Sequence, residues 1–184
     1  MPTAEEYESK AKALDHAGLV VLWSQIIARN TSGWDTGKAF EYLILRAFEI
    51  EGAVVQYPYS VTMQDELVEQ IDGAVHADGI SALVESKDLD DKRRVNIEPI
   101  AKLRNQLLRR PSSTIGMLFS RTGFTEPARV LAQYLLPQTI LIWDGPEIKH
   151  ALDNGKLRRA LIVKNRMAIQ YGQFDFNILT PGAI

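Results

Sequence analysis

The 184-residue sequence contains no cysteine. That excludes disulfides, thiolate nucleophiles and Cys-ligated zinc. Long apolar runs are also missing, and none approaches the ~20 residues that a membrane-spanning helix needs. Histidine is scarce: His16, His76 and His150 fall on separate segments and offer no metal-ligand spacing. No internal repeat, low-complexity tract, clear linker, helix-turn-helix or zinc-finger pattern stands out. The N-terminal stretch is polar and acidic (Glu5, Glu6, Glu8), which does not suit a signal peptide, and a cytoplasmic location is expected. Net charge is small, −2, and by itself argues against a polyanionic partner. Its distribution argues the other way. Residues 1–91 carry 17 acidic against 6 basic side chains, and residues 92–184 carry 6 against 15. Such asymmetry points to a basic face for nucleic acid, unless folding interleaves the two halves.

What is present reads as one globular α/β domain, with 46% apolar and 24% charged residues. The chemistry concentrates in Ile71–Lys87, IDGAVHADGISALVESK. Asp78-Gly79 between two apolar runs is a hairpin signal. Closing the hairpin there brings Asp72 alongside Glu85. Strand alternation points Glu85 and Lys87 the same way, with Ser86 opposite. Two carboxylates and an ammonium at one end of a sheet suit a hard divalent cation. Each residue alone is more often a solvated strand end. Together, beside buried Ile80, Leu83 and Val84, they are costly unless paired or metal-bound. His76 falls on the Asp72 face of the hairpin, between the two ligands.

Residues 4–30 read as helical, broken or bent at Gly18, and form an N-terminal cover over residues 1–34. A second helix is capped by Asp35 or Thr36 and runs to about Glu51, with Glu41 beside its apolar stripe. A strand over Ala53–Val61 is interrupted by Pro58. The charge run Asp88–Arg94 sits at the mouth of the proposed site. A helix over Ile97–Arg109 follows, capped by Asn96. Arg93, Arg94, Lys102, Arg104, Arg109, Arg110 and Arg121 make this region the candidate phosphate-contacting surface. Gln106 is a further polar candidate near the site. Thr114–Ser120 and Thr139–Trp143 read as parallel strands around a helix that runs from its cap at Thr125 to about Leu136. Residues 157–171 read as a hairpin turning at Lys164-Asn165, within an extension over 154–184. That hairpin either extends the sheet or pairs with a second subunit.

An aspartate, a spacer of about a dozen residues and Glu-x-Lys ending a strand resembles the PD-(D/E)XK nuclease superfamily. More narrowly, the chain resembles the Mrr-like restriction endonuclease catalytic domain. Gly37-Lys38-Ala39-Phe40-Glu41, Arg121-Thr122-Gly123-Phe124-Thr125 and Leu141-Ile142-Trp143-Asp144-Gly145 fit that family in order. The likeness spans roughly Gly37–Leu152. Ile71 stands where the family often has proline, and Ser86 replaces a common cysteine; neither change removes a ligand. The resemblance implies a mixed central sheet with helices on both faces, over a nuclease-like core at 35–153. It implies Mg²⁺, with Mn²⁺ substituting, held by Asp72, Glu85 and the Ser86 carbonyl, with Glu41 as a secondary ligand through water. Lys87 would position or activate the attacking water during hydrolysis of a DNA phosphodiester. A junction resolvase or repair nuclease shares these residues, and a non-cleaving DNA- or protein-binding domain keeps the same fold. A homodimer or a separate DNA-recognition subunit would supply the target reading that no motif here provides.

Overall fold

The computed structural model describes residues 2–135 and 137–184. Its centre is a five-stranded sheet built from β1 (Val54–Gln56), β4 (Gly73–Ala77), β5 (Ile80–Lys87), β6 (Thr114–Ser120) and β7 (Ile140–Asp144), in that spatial order. β1, β4 and β5 run antiparallel, while β5, β6 and β7 are parallel. β2 (Tyr59–Met63) and β3 (Glu66–Ile71) form a separate two-stranded ribbon. The strand expected over Ala53–Val61 is therefore two strands in two sheets. Pro58, which has no backbone N–H to give a ladder, lies in the break.

Helices cover both faces. α1 (Ala4–Lys12), α2 (His16–Ile27), α3 (Lys38–Ile50), α6 (Gly145–Asp153) and α7 (Leu157–Tyr171) share a core with Val75, Val84, Met117, Phe119 and Trp143. α4 (Ile97–Leu107) and α5 (Glu126–Gln133) pack on the other face against Ala74, Leu83, Leu118 and Ile142. Strand alternation explains the division: Ala82 and Val84 of β5 face the first core, Leu83 the second. Glu85 and Lys87 continue the Leu83 phase and so face α4. α3 is buried at every position from Ala39 to Leu45, the signature of a helix enclosed by protein on all sides. Phe48 of α3 meets Phe119 edge-on at 6.2 Å, and Phe119 stacks on Trp143 at 5.1 Å. Each such pair adds about 0.5–1.5 kcal/mol beyond area burial.

Four local expectations are corrected. The first helical stretch breaks before Asp15, not at Gly18; the Asp15 side chain accepts from Gly18 N at 2.8 Å and so caps α2. α3 starts after Gly37 in a left-handed conformation, without the side-chain cap expected from Asp35 or Thr36. α4 ends at Leu107 rather than Arg109. Residues 157–171 are one helix, not a hairpin. Leu157, Ala160, Leu161, Lys164 and Ala168 recur at helical spacing and are buried, and Gly172 terminates the helix in the left-handed region. Lys164, read as a turn residue, is fully buried; its ammonium lies 2.6 Å from Glu147 and donates to the Ile142 carbonyl at 2.9 Å. α5 ends at Gln133, and its expected end at Leu136 lies outside the described residues.

Candidate active site

The β4–β5 hairpin closes through Asp78 and Gly79, both with positive φ (52° and 77°), a turn that Asp-Gly adopts at little cost. Register places Ala77 opposite Ile80 and Gly73 opposite Val84, so Asp72 comes beside Glu85. The Asp72 carboxylate accepts from Ser86 N at 2.8 Å, which locks the two arms together. Gly73 next to it has a spatial reason: an added Cβ would stand 2.5 Å from Leu45 Cδ2. Its absence lets α3 approach β4, and this brings Glu41 to the same end of the sheet.

Three carboxylates and three lysines then meet. Glu85 is completely buried, with Lys87 Nζ 2.5 Å from Oε1 and Lys102 Nζ 2.7 Å from Oε2. The approach to Oε1 is a charge contact in poor hydrogen-bond alignment, so this oxygen remains a buried acceptor without a hydrogen bond. Glu41, 8% exposed, receives Lys38 Nζ at 2.9 Å on both oxygens. Burial, then the charge of Asp72, push the Glu41 carboxyl up to about 7 against the pull of Lys38. Burial and the Glu85 charge also raise Asp72, opposed by the Ser86 N–H, Lys87 and Lys102. Burial alone would lower Lys87, but the Glu85 charge and contact, with Asp72 and Glu41 behind them, leave its pKa raised. Lys87 is accordingly an ammonium at neutral pH.

Among the described residues, no three His, Asp or Glu side chains stand as a ready-made ligand cluster. Lys38 holds both Glu41 oxygens and Lys102 holds one Glu85 oxygen. The donor types nonetheless suit a hard divalent cation: oxygen ligands only, one of them a buried orphan. Two recesses flank the cluster. One of about 240 Å³ is lined by Lys38, Glu41, Tyr59, Gln70 and Asp72. The other, about 210 Å³, is lined by Lys87, Arg93, Arg94, Asn96 and Glu98. A larger recess of about 510 Å³, mostly apolar, lies beside Trp23, Ile27 and Pro146 and holds none of the three carboxylates.

The expected phosphate surface is partly dismantled. Arg109 and Arg110 both grip Glu69, a buried side chain on β3, with Arg109 Nε at 2.6 Å and an Arg110 amino group at 2.5 Å. Arg121 is buried between Asp88 at 2.5 Å and Asp91 at 2.7 Å. Lys102 belongs to the carboxylate cluster itself. Arg93 and Arg104 stay exposed, and Arg94 makes one contact, to the Thr122 carbonyl at 3.1 Å. Gln106 is buried and donates to the Gln70 carbonyl at 3.1 Å, a structural bond. His76 points to Ser81 Oγ at 3.0 Å, near the turn and away from Asp72. Sequence reasoning missed Lys38, although its i,i+3 spacing from Glu41 on a helix was a readable signal. Nothing in the sequence pairs Lys102 with Glu85.

The restriction endonuclease family of Mrr catalytic domains matches residues 35–152. The chain belongs to it. Members are nucleases of the restriction type and generally use divalent metal ions. The fold is shared with the crystal structure of a protein of unknown function, AF1548, at a TM-score of 0.51 and 16% identity over 72% of this chain and 77% of that one. The MspJI restriction endonuclease in complex with a 27-mer oligonucleotide is a looser likeness. Its TM-score is 0.45 at 17% identity, covering 100% of this chain and 38% of that one. No curated protein matches the chain. Among the described residues no helix is long and apolar enough to cross a membrane.

Proposed function

We propose that the protein is a divalent-metal-dependent endodeoxyribonuclease that hydrolyses a DNA phosphodiester at the Asp72/Glu85/Lys87 cluster. The observation that supports this best is the bond from Ser86 N to the Asp72 carboxylate, which holds both acidic ligands at one strand end. Asp72, Glu85 and the Ser86 carbonyl are assigned to Mg²⁺, with Mn²⁺ as a substitute. The bound ion would supply Lewis-acid polarisation of the phosphate and neutralise its charge. The chain's own groups do the rest. Lys87, an ammonium, donates to a non-bridging phosphate oxygen and offsets the charge that grows there in the transition state. Glu41, in the same recess as Asp72, can hold the attacking water near the ion.

Arg93, Arg94 and Arg104 are assigned to flanking phosphates. Residues 1–34 act as an N-terminal cover, 35–153 as the nuclease core and 154–184 as a helical extension that closes the first core. Target selection is assigned to loops, to a second copy or to a separate recognition chain. The test is cleavage of supercoiled plasmid with Mg²⁺ by wild type and by Asp72→Ala, Glu85→Ala and Lys87→Ala. Each variant should lose at least about 10²-fold in rate while keeping its circular dichroism spectrum. Full activity in any one of them removes that residue from the mechanism; no cleavage by wild type with Mg²⁺ or Mn²⁺ sinks the nuclease reading.

A further inference from the structure

We infer that Lys102 is a built-in competitor of the divalent ion: its ammonium occupies Glu85 in the metal-free protein and is released to a DNA phosphate when the ion binds. The inference rests on the metal reading of the site given above. Glu85 is fully buried and carries two ammonium groups, Lys87 at 2.5 Å and Lys102 at 2.7 Å. One carboxylate cannot also serve a divalent ion well with both in place, because like charges would crowd a poorly solvated site.

The two lysines differ in their freedom to leave. Lys87 stands two residues from Glu85 on the same strand and face, and its side chain is 30% exposed. Lys102 reaches in from α4 with a side chain 44% exposed, on a flexible four-carbon stem. The helix itself is held in place. Leu103 packs so tightly on Gly116 that an added Cβ there would stand 2.8 Å from Leu103 Cδ2. Release then needs only the Lys102 side chain to move. Its way out runs toward Glu98, one turn earlier on α4 and on the same helical face. Glu98 lines the recess that also holds Lys87, Arg93 and Arg94. A phosphodiester seated in that recess offers the released ammonium a new anion. Metal and DNA are thereby coupled through one side chain, each favouring the state that the other needs.

The test measures metal affinity rather than cleavage. Mn²⁺ is titrated calorimetrically into the full chain without DNA, for wild type, Lys102→Met, Lys102→Gln and Arg104→Met. Removing an ammonium from a carboxylate changes proton affinity by about one to three decades, so Lys102→Met should bind Mn²⁺ at least about tenfold tighter than wild type. Lys102→Gln keeps a hydrogen-bonding group without the charge and should fall between them. Arg104→Met, on the same helix without a contact to Glu85, reports the through-space effect and should gain about twofold or less. A second readout is the affinity for a fluorescent duplex with and without Ca²⁺. The gain on adding Ca²⁺ should be smaller in Lys102→Met than in wild type. Mn²⁺ affinity that is unchanged or weaker in Lys102→Met would make Lys102 a support for Glu85 and overturn the inference while leaving the metal site standing. No Mn²⁺ binding by any of the four proteins would overturn the metal reading, and the competitor role with it.

Discussion

Glu41 permits a test that needs neither substrate nor metal. Burial, followed by the charge of Asp72, lifts its carboxyl from the ordinary 4.5 to about 7. A carboxyl raised in the folded state binds its proton more tightly there than in the unfolded chain. Its favourable contribution is therefore complete below pH 4.5 and is lost as pH rises through 7. At about 1.4 kcal/mol per pH unit, the loss once Glu41 is ionised is roughly 3 kcal/mol. Glutamine has the shape of the protonated acid and never ionises, while Lys38, partly exposed, can turn to solvent. Glu41→Gln should melt within about 3 °C of wild type at pH 5 in a chelating buffer. At pH 8.5 it should melt roughly 6–12 °C higher, from 2–4 °C per kcal/mol at this chain length. Thermal melts followed by circular dichroism across that range measure the difference. A constant offset between the two proteins, or a lower melting point for the variant at pH 8.5, would refute the burial argument.

Two further outcomes separate the arginines and test the extension. If Arg93, Arg94 and Arg104 contact phosphates, their joint replacement by Gln should flatten the dependence of log affinity on log salt by about 0.9 per contact. Replacing Arg109 and Arg110 by Gln should leave that slope alone and lower the melting temperature, because Glu69 would be left buried without a partner; a changed slope would return both arginines to the interface. Lys164→Met strands Glu147 in the core, where it is 4% exposed, and should cost about 3–5 kcal/mol in unfolding free energy from urea melts. Adding Glu147→Gln should recover part of that loss, and no recovery would mean that the lysine's carbonyl contacts matter more than the ion pair.

The parts of the fold that were legible in the sequence are those decided by local chemistry. Asp78-Gly79 adopts the positive φ values its residue types allow, and alternation from that turn brings Asp72 to Glu85. Thr125 and Asn96 cap the helices that follow them. Residues 157–171 defeated the same reasoning for a physical reason. β-Branched Ile162 and Val163 next to polar Lys164-Asn165-Arg166 imitate a strand and turn. The helix is decided instead by what α7 packs on, including a lysine that the core accepts because Glu147 and two carbonyls receive it. Burial of that kind is a tertiary property with no local sign.

The charge map shows the same limit more sharply. An acidic first half and a basic second half suggested a large cationic face. Much of the asymmetry is spent inside the molecule: Asp78 pairs with Arg158, Glu69 takes Arg109 and Arg110, Asp88 and Asp91 take Arg121, and Glu85 takes Lys102. Sequence counts charges but does not pair them, and a pair across the two halves removes a cation from the surface as surely as a substitution would. Among the described residues, Lys92, Arg93, Arg94, Arg104, Lys156, Arg159 and Arg166 of the second half stay exposed, and of these Arg93 and Arg94 line the recess beside Lys87, at a site whose lysines already balance its carboxylates. If a divalent ion takes Glu85 and releases Lys102, as inferred above, attraction for a polyanion at that recess grows. On the metal-dependent function proposed above, the cluster would attract a DNA phosphate more strongly with the ion bound than without it.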